Sequence, residues 1–148
     1  MADVFCAWCR ALIGQSPVDH SHGICRDCYQ QMRGIPRLSE AELDALPFGV
    51  IILDERGTVL AYNKAESDLS GRIRTEVVGR NFFTDVAPCT SVQAFQGGFR
   101  EFCRGDEPSR TFRFTFHFPT GPIPVQIVFL RMGSEVAVAV QKAIGPPV

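Results

Sequence analysis

A stretch near the C-terminal end of the chain alternates strictly between phenylalanine and polar residues. The two sets are Phe112, Phe114, Phe116 and Phe118 on one hand, and Thr111, Arg113, Thr115 and His117 on the other. Because successive side chains of a strand point to opposite faces of a sheet, this pattern predicts a β-strand with one buried face lined by phenylalanine. Such a strand is typical of an antiparallel sheet with one face packed on a core.

The other elements follow from apolar runs that are bounded by turn residues. The remaining predicted strands are Phe48–Asp54, Thr58–Tyr62, Val125–Leu130 and Glu135–Val140. The predicted helices lie at Asn63–Leu69, Glu76–Gly79 and Val92–Arg104, with a loop over Asn81–Thr90. Two strands, short helices, one longer helix and three strands predict an α+β fold with a five-stranded antiparallel sheet.

The chain divides into a small N-terminal part and a larger domain. Gly34-Ile35-Pro36 interrupts the chain before the alternating strands begin. Ser39 and Glu42 have capping-box spacing, so a short helix is predicted to run through Ala45 and to stop at Pro47. The predicted division is a zinc-binding module over 1–34, a linker helix over 35–47, the main domain over 48–142 and a tail over 143–148.

The N-terminal cysteines form two pairs. Cys6 and Cys9 are separated by two residues, as are Cys25 and Cys28, and 15 residues lie between the pairs. This spacing is typical of structural Zn²⁺ sites with four thiolate ligands, which leave no open position for catalysis. A segment of roughly 30 residues cannot bury a stabilising core, so the metal would supply its folding free energy. Other interpretations are ligands drawn from His20 and His22, or unrelated buried or disulfide-linked cysteines.

Charge and hydropathy narrow the range of functions. The 15 Lys and Arg residues nearly balance the 16 Asp and Glu, for a net charge of −1, so bulk charge does not favour nucleic acid. The longest apolar run, Phe48–Leu53, is far shorter than a membrane-spanning helix. Asp3 stands where a secretory signal would carry positive charge, which favours a cytoplasmic protein. In that reducing compartment, cysteines serve as metal ligands or reactive thiols rather than disulfides.

Two segments after the first predicted hairpin carry a family pattern. They read Asn63-Lys-Ala-Glu66-Ser-Asp-Leu-Ser70-Gly71 and Glu76-Val-Val-Gly79-Arg-Asn81-Phe82-Phe83-Thr-Asp85-Val-Ala-Pro88-Cys89-Thr90. The pattern resembles the PAS family of sensory domains. Within that family, the Ala-Pro-Cys-Thr segment resembles the photoactive yellow proteins, which are blue-light receptors. The resemblance covers about residues 41–142 and leaves out the cysteine pairs.

The resemblance implies a p-coumaric acid chromophore held as a thioester on Cys89. It implies that Tyr62 and Glu66 donate hydrogen bonds to the chromophore phenolate. Ser70 would be a supporting hydroxyl, where the family usually has threonine, and Arg72 would cover the pocket. The implied apolar wall is formed by Phe82, Val86 and Phe116. Light would isomerise the chromophore, a proton would pass from Glu66, and the change would be signalled to an unidentified partner protein.

The chemistry of these residue types agrees with the implied site. A phenolate buried beside phenylalanines is stable only when it is hydrogen-bonded, and two donors lower its pKa. Burial beside a negative charge would keep Glu66 protonated, as a donor must be. Taken singly, Glu66 instead has capping-box spacing from Asn63. The other residues also have ordinary explanations: Tyr62 as a half-buried strand residue, Arg72 as a surface charge, and Cys89, like Cys103, as a small buried residue.

Two other functions are compatible with the sequence. One is a chromophore-free PAS module that binds a protein or ligand and uses the zinc module for protein contacts. The other is an enzyme with Cys89 as nucleophile, but no nearby His or Lys is available to activate it and His117 is predicted to face outward. We therefore predict a receptor that is not an enzyme. One departure from the family lies in the loop after Phe118, where the family commonly has a methionine over the chromophore and this chain reads Pro119-Thr120-Gly121-Pro122.

Overall fold

The structure, a computed structural model, describes residues 2–5, 12–16, 38–118 and 121–142. Its strands are β1 (Ala2–Phe5), β2 (Leu12–Ser16), β3 (Gly49–Asp54), β4 (Val59–Tyr62), β5 (Ser109–Phe118), β6 (Gly121–Met132) and β7 (Glu135–Lys142). Strands β3 to β7 form a five-stranded antiparallel sheet in the order β4-β3-β7-β6-β5. The predicted α+β fold is confirmed, and β5 is an edge strand of its sheet.

The two faces of the sheet pack into separate apolar layers. The front face is covered by the segment between β4 and β5, and its fully buried members include Ile51, Phe116, Ile127, Phe129 and Val138. The rear face carries Val50, Ile52, Val128, Leu130, Ala137 and Ala139, against which Leu43 packs. As the alternation predicts, Phe116 and Phe118 are buried while Thr115 and His117 are exposed.

The helices are short, and side chains define where they begin. They are α1 (Glu40–Asp44), α2 (Lys64–Ser70), α3 (Arg74–Val77) and α4 (Gly98–Arg104). The capping box predicted at the start of α1 is present, because Ser39 Oγ accepts from Glu42 N and Glu42 accepts from Ser39 N. Gly71 ends α2 with a φ of 75°, a conformation that glycine adopts without strain.

The segment between α3 and β5 differs from the sequence prediction at two places. The predicted loop over Asn81–Thr90 contains a π-helical turn, Phe82–Val86, and a 3-10 turn, Pro88–Thr90. The single helix predicted over Val92–Arg104 is a π-helical turn, Gln93–Gly97, followed by α4. Burial of aromatic rings outweighs helix regularity here: the Phe95 ring lies 5.1 Å from Phe114 and 5.8 Å from Phe82, centroid to centroid.

Strand β6 begins four residues before the predicted Val125 and includes two prolines. Proline lacks the N–H group that a central strand must pair, so its presence argues against a strand. Pro122 and Pro124 are tolerated because they precede Val125, the first β6 residue that pairs with β7. They face only β5, opposite His117 and Thr115.

The N-terminal region is described only through β1 and β2. These strands pair antiparallel, with Ala2 opposite Ser16 and Phe5 opposite Leu12. Cys6, Cys9, Cys25 and Cys28, the predicted zinc ligands, lie outside the described residues. Within the described ranges there is no group of three or more His, Cys, Asp or Glu side chains that could hold a metal ion. Those ranges also contain no helix long and apolar enough to cross a membrane.

Candidate functional site

A buried hydroxyl pair joins the end of β4 to the end of α2. Tyr62 is the last residue of β4 and Ser70 is the last residue of α2, and their side-chain oxygens lie 2.7 Å apart. Only 2% of Tyr62 and 3% of Ser70 is exposed. Because Ser70 Oγ accepts from Arg72 N at 3.1 Å, it can donate its own proton to Tyr62 Oη. The Tyr62 proton is then available to a further acceptor.

Asn63 fixes the position of α2 relative to the sheet. Its Oδ1 accepts from Val50 N at 2.8 Å and from Glu66 N at 3.1 Å. Its Nδ2 donates to the carbonyl oxygens of Leu43 and Phe48. One buried side chain therefore holds together β3, the end of α1 and the first turn of α2. Sequence reasoning treated Asn63 as a cap, but its contacts with the sheet carry no local signal in the sequence.

Glu66 is a buried acid rather than a capping residue. In a capping box its carboxylate would accept from Asn63 N, but that N–H donates to Val50 O. The Glu66 side chain instead points inward, 1% of the residue is exposed, and Oε2 has no hydrogen-bond partner among the described residues. Burial raises the pKa of this carboxyl to about 8, so the residue carries a proton at neutral pH.

Gly49 makes room for the Glu66 carboxyl. A Cβ at position 49 would lie 2.1 Å from Glu66 Oε2 and 3.1 Å from Glu66 Cβ, so only glycine allows this approach. Sequence analysis did not single out Gly49. A glycine at the start of an apolar strand can mark a place where another group approaches the backbone closely. Gly49 was therefore the signal in the sequence for the position of the Glu66 carboxyl.

Arg72 lies beside the hydroxyl pair. Its Nε is buried without a hydrogen-bond partner in the described part of the chain, although the residue as a whole is half-buried. Burial and the neighbouring Glu66 raise the pKa of Tyr62, while the hydrogen bond with Ser70 and the charge of Arg72 lower it. Burial dominates, so Tyr62 keeps its proton and can act as a donor.

Cys89 lies in the 3-10 turn against the edge strand β5. Its Sγ accepts a hydrogen bond from His117 N at 3.4 Å, and the thiol is partly exposed. The turn is held by Thr90, whose Oγ1 donates to Ala87 O at 2.7 Å. The side chain of His117 is exposed, as the alternation of β5 predicts.

The polar residues share one apolar cluster with the predicted wall. Tyr62 and the wall residues Phe82, Val86 and Phe116 are members of this cluster, and Cys89 packs against it. Phe82, Val86 and Phe116 are each at most 3% exposed. Tyr62, Cys89 and the predicted wall therefore lie in or beside the layer on the front face of the sheet.

These residues fit a small acyl group that ends in a phenol. Cys89 offers a partly exposed thiol for attachment. Glu66 Oε2 and Arg72 Nε are buried polar atoms without hydrogen-bond partners among the described residues, a costly arrangement that a polar ligand atom would relieve. Tyr62 and Glu66 are both protonated and can donate to a phenolate oxygen.

Comparisons with known proteins show what this chain is similar to. Residues 38–138 match the family model for the PAS fold. The chain is 43% identical over 94 residues to the photoactive yellow protein of Rhodothalassium salexigens, a match that covers 64% of this chain and 75% of that one. It is 41% identical over 93 residues to the photoactive yellow protein of Halochromatium salexigens, covering 63% and 74%.

A solved structure is similar over the same region. It is the photoactive yellow protein domain of the sensor histidine kinase Ppr from Rhodospirillum centenum. The TM-score is 0.71 at 42% sequence identity, and the match covers 74% of this chain and 98% of that domain.

Proposed function

Because the chain belongs to the PAS family and, within it, to the photoactive yellow proteins, we propose that it is a blue-light photoreceptor with p-coumaric acid bound to Cys89 as a thioester. The observation that carries the proposal is the buried, protonated Glu66, whose Oε2 has no partner among the described residues. An unpartnered buried acid destabilises a fold, so its presence favours a ligand that accepts its proton in a hydrogen bond.

Each residue of the site has a distinct role in this proposal. Cys89 Sγ holds the chromophore, which when bound supplies absorption of visible light and trans–cis isomerisation. Tyr62 Oη and Glu66 Oε2 donate to the phenolate oxygen, and Ser70 Oγ donates to Tyr62 Oη. Arg72 covers the phenolate end. The wall that excludes water is formed by Phe82, Val86 and Phe116.

Glu66 is also the proposed proton donor after illumination. After giving up its proton, the Glu66 carboxylate would be an ionised group buried beside apolar residues. A buried charge without a partner destabilises the fold by roughly several kcal/mol, and this destabilisation would loosen the packing around α2. Loosening at Asn63, which holds α1 and the sheet together, would carry the change toward the N-terminal segment.

The proposed output is a contact with a signalling protein rather than catalysis. The similar domain from Rhodospirillum centenum is part of a sensor histidine kinase, which supports a signalling partner of this general kind. We propose one structural Zn²⁺ held by Cys6, Cys9, Cys25 and Cys28. Zinc thiolates require reduced cysteines, so the proposed place of action is the cytoplasm.

Reconstitution with activated p-coumaric acid tests the attachment. We expect the protein to gain the mass of one coumaroyl group and a visible absorption band. Cys89→Ser should gain neither, whereas the control Cys103→Ser should gain both. Protein that stays colourless and unmodified would support the alternative, a PAS module that binds without a chromophore. Acylation of Cys103 instead of Cys89 would show that the attachment site is wrong.

Glu66→Gln tests the donor role. The amide keeps a donor and nearly the same shape, but it donates less strongly to a phenolate than a carboxylic acid and has no proton to transfer. The absorption band should shift to longer wavelength, the phenolate pKa should rise and the photocycle should change. If the spectrum, the phenolate pKa and the photocycle all match those of the wild type, the proton-transfer mechanism is wrong.

A further inference from the structure

The free edge of β5 supplies a hydrogen-bond donor to the sulfur of Cys89. In an antiparallel pair, the N–H and C=O groups of alternate residues point away from the partner strand. His117 N donates to Cys89 Sγ at 3.4 Å, so this N–H points away from β6. Thr115 lies two residues before His117 on β5, so its N–H points in the same direction. Thr115 lies opposite Pro124 of β6, and His117 lies opposite Pro122. Thr115 and His117 therefore present similar outward N–H groups two residues apart on this edge, and of the two it is the His117 N–H that contacts the sulfur.

We propose that the backbone N–H of His117 activates Cys89 for acylation and, with the surroundings of the two thiols, selects it over Cys103. This inference rests on the proposed function and adds a positioning residue to it. The contribution comes from the main chain of an edge strand, so the identity of the side chain at position 117 is not important.

The acylation step needs negative charge on the sulfur. Cys89 Sγ attacks the carbonyl carbon of an activated p-coumaroyl donor of the thioester class. The new carbon–sulfur bond forms as the donor's own carbonyl–sulfur bond breaks, and the proton of Cys89 leaves with the donor's thiol. The thiolate is the reactive form of cysteine, and an N–H aimed at the sulfur stabilises it. A stabilised thiolate is also a weaker nucleophile, so the net gain in rate is several-fold rather than larger.

Cys103 lacks such a donor among the described residues. It lies on α4, is partly exposed as Cys89 is, and faces a surface groove lined by Glu55, Arg100 and Arg104. Burial and the charge of Glu55 raise the pKa of the Cys103 thiol, and Arg131 opposes them only in part. Exposure therefore does not distinguish Cys89 from Cys103. The hydrogen bond that His117 N donates to Cys89 Sγ does distinguish them.

Proline substitution removes the donor, and the chain offers a matched control. His117→Pro deletes the N–H that contacts Cys89, whereas Thr115→Pro deletes an outward N–H two residues away on the same edge. His117→Ala keeps the N–H and removes the imidazole. Each variant is prepared without chromophore as the full chain, and the rate of Cys89 alkylation by iodoacetamide is followed by peptide mass. Acylation by activated p-coumaric acid is measured in parallel.

We expect His117→Pro to slow both reactions at Cys89 about threefold or more relative to Thr115→Pro, with Cys103 unchanged. His117→Ala should react like the wild type. Equal rates for the two proline variants, or a slow His117→Ala variant, would overturn the proposal. The second outcome would assign the activation to the imidazole.

If proline prevents the strand from folding, the His117 N–H can instead be removed by an ester in place of the peptide bond between Phe116 and His117. Replacing His117 with the corresponding α-hydroxy acid removes only the N–H and keeps the side chain. The same loss in alkylation rate is expected, and a wild-type rate would refute the proposal. Because iodoacetamide needs no chromophore site, this readout separates the inference from the proposed function. If Cys89 is never acylated by p-coumaric acid, the proposed function fails, whereas slower alkylation of His117→Pro than of Thr115→Pro still supports activation of the Cys89 thiol by the His117 N–H.

Discussion

Glu66 shows how the environment of a single residue sets its chemistry. A glutamate three residues after an asparagine has the local pattern of a helix cap, yet its carboxyl lies over Gly49 in the apolar layer. Desolvation then raises the pKa of the acid from its ordinary 4.5 to about 8. Glu66 keeps its proton at neutral pH only in the folded chain, because folding removes its carboxyl from water.

The raised pKa of Glu66 predicts a pH-dependent stability in the protein without chromophore. Between pH 4.5 and about 8 the unfolded chain has released this proton while the folded chain retains it. The folded state therefore loses stability as the pH rises through this window, and the loss is complete above the folded pKa. We expect the free energy of unfolding of the wild type, minus that of Glu66→Gln, to fall by on the order of 1 kcal/mol per pH unit across the window. Urea unfolding at a series of pH values checks this, and a difference that does not vary with pH would contradict it.

Gly49→Ala tests the space that the carboxyl occupies. The added Cβ would lie 2.1 Å from Glu66 Oε2, so the carboxyl must move. In the reconstituted protein we expect a longer-wavelength band, in the same direction as Glu66→Gln, because the donor is displaced. Gly71→Ala is a contrasting control, since its Cβ would meet nothing within 4 Å and only its φ of 75° is strained. It should lower stability while leaving the band in place, and a Gly49→Ala band at the wild-type position would show that Glu66 is not held by this contact.

At the scale of elements, Arg74 links α1 to the site. Its Nε donates to Tyr62 O at 2.8 Å, and its two terminal nitrogens pair with Glu40 and Asp44 of α1. Asp44 also accepts from Lys64 N, the first residue of α2. One arginine therefore connects the end of β4, α1 and, through Asp44, the start of α2.

Arg74→Ala should loosen α1 because three contacts between elements are lost together. We expect the melting temperature to fall by about 2 to 5 °C and amide exchange to increase in α1. Lys64→Ala is the control: it breaks the Lys64–Asp68 pair, whose side chains are 68% and 67% exposed, and exposed pairs contribute little. Equal effects of the two variants would show that Arg74 is an ordinary surface charge.

The glycine pair between the π-helical turn and α4 offers a stabilising change. Gly98 has a φ of −63°, and its nearest neighbour, Arg110 Nη1, would be 3.7 Å from an added Cβ. Gly98→Ala should raise the free energy of unfolding by about 0.5 kcal/mol, because alanine loses less backbone freedom on folding. A Cβ at Gly97 would instead lie 2.3 Å from the Gln93 side chain, so Gly97→Ala should gain less. Urea unfolding shows which of the two variants gains more free energy of unfolding. A larger gain for Gly97→Ala would contradict this explanation.

At the scale of the whole molecule, the cysteine pairs and the main domain are predicted to depend on different forces. Residues 1–34 would depend on Zn²⁺, whereas the sheet has a buried apolar layer on each face. Elemental analysis should find one zinc per chain, and removal of the metal or Cys6→Ser should unfold the N-terminal module. The absorption band of the reconstituted protein should stay largely intact. Protein purified without chelator that contains no zinc would be incompatible with this division.

The sequence alone determined the elements whose patterns are local. Alternation of phenylalanine defined β5, the spacing of Ser39 and Glu42 defined the start of α1, and the Ala-Pro-Cys-Thr segment pointed to Cys89 as the proposed attachment site. Each of these signals depends on neighbours within a few residues, such as the period of a strand or the reach of a capping side chain.

Tertiary structure decided the features that need residues far apart in the chain. The protonation of Glu66 follows from burial of its carboxyl, for which Gly49 leaves space. The position of α2 depends on the contacts of Asn63 with β3 and α1, and the hydrogen bond to Cys89 comes from His117, 28 residues away. The π-helical turns form where phenylalanine packing outweighs helix regularity. Burial and long-range hydrogen bonds are properties of the assembled fold, because the local sequence does not specify which distant groups exclude water from a side chain.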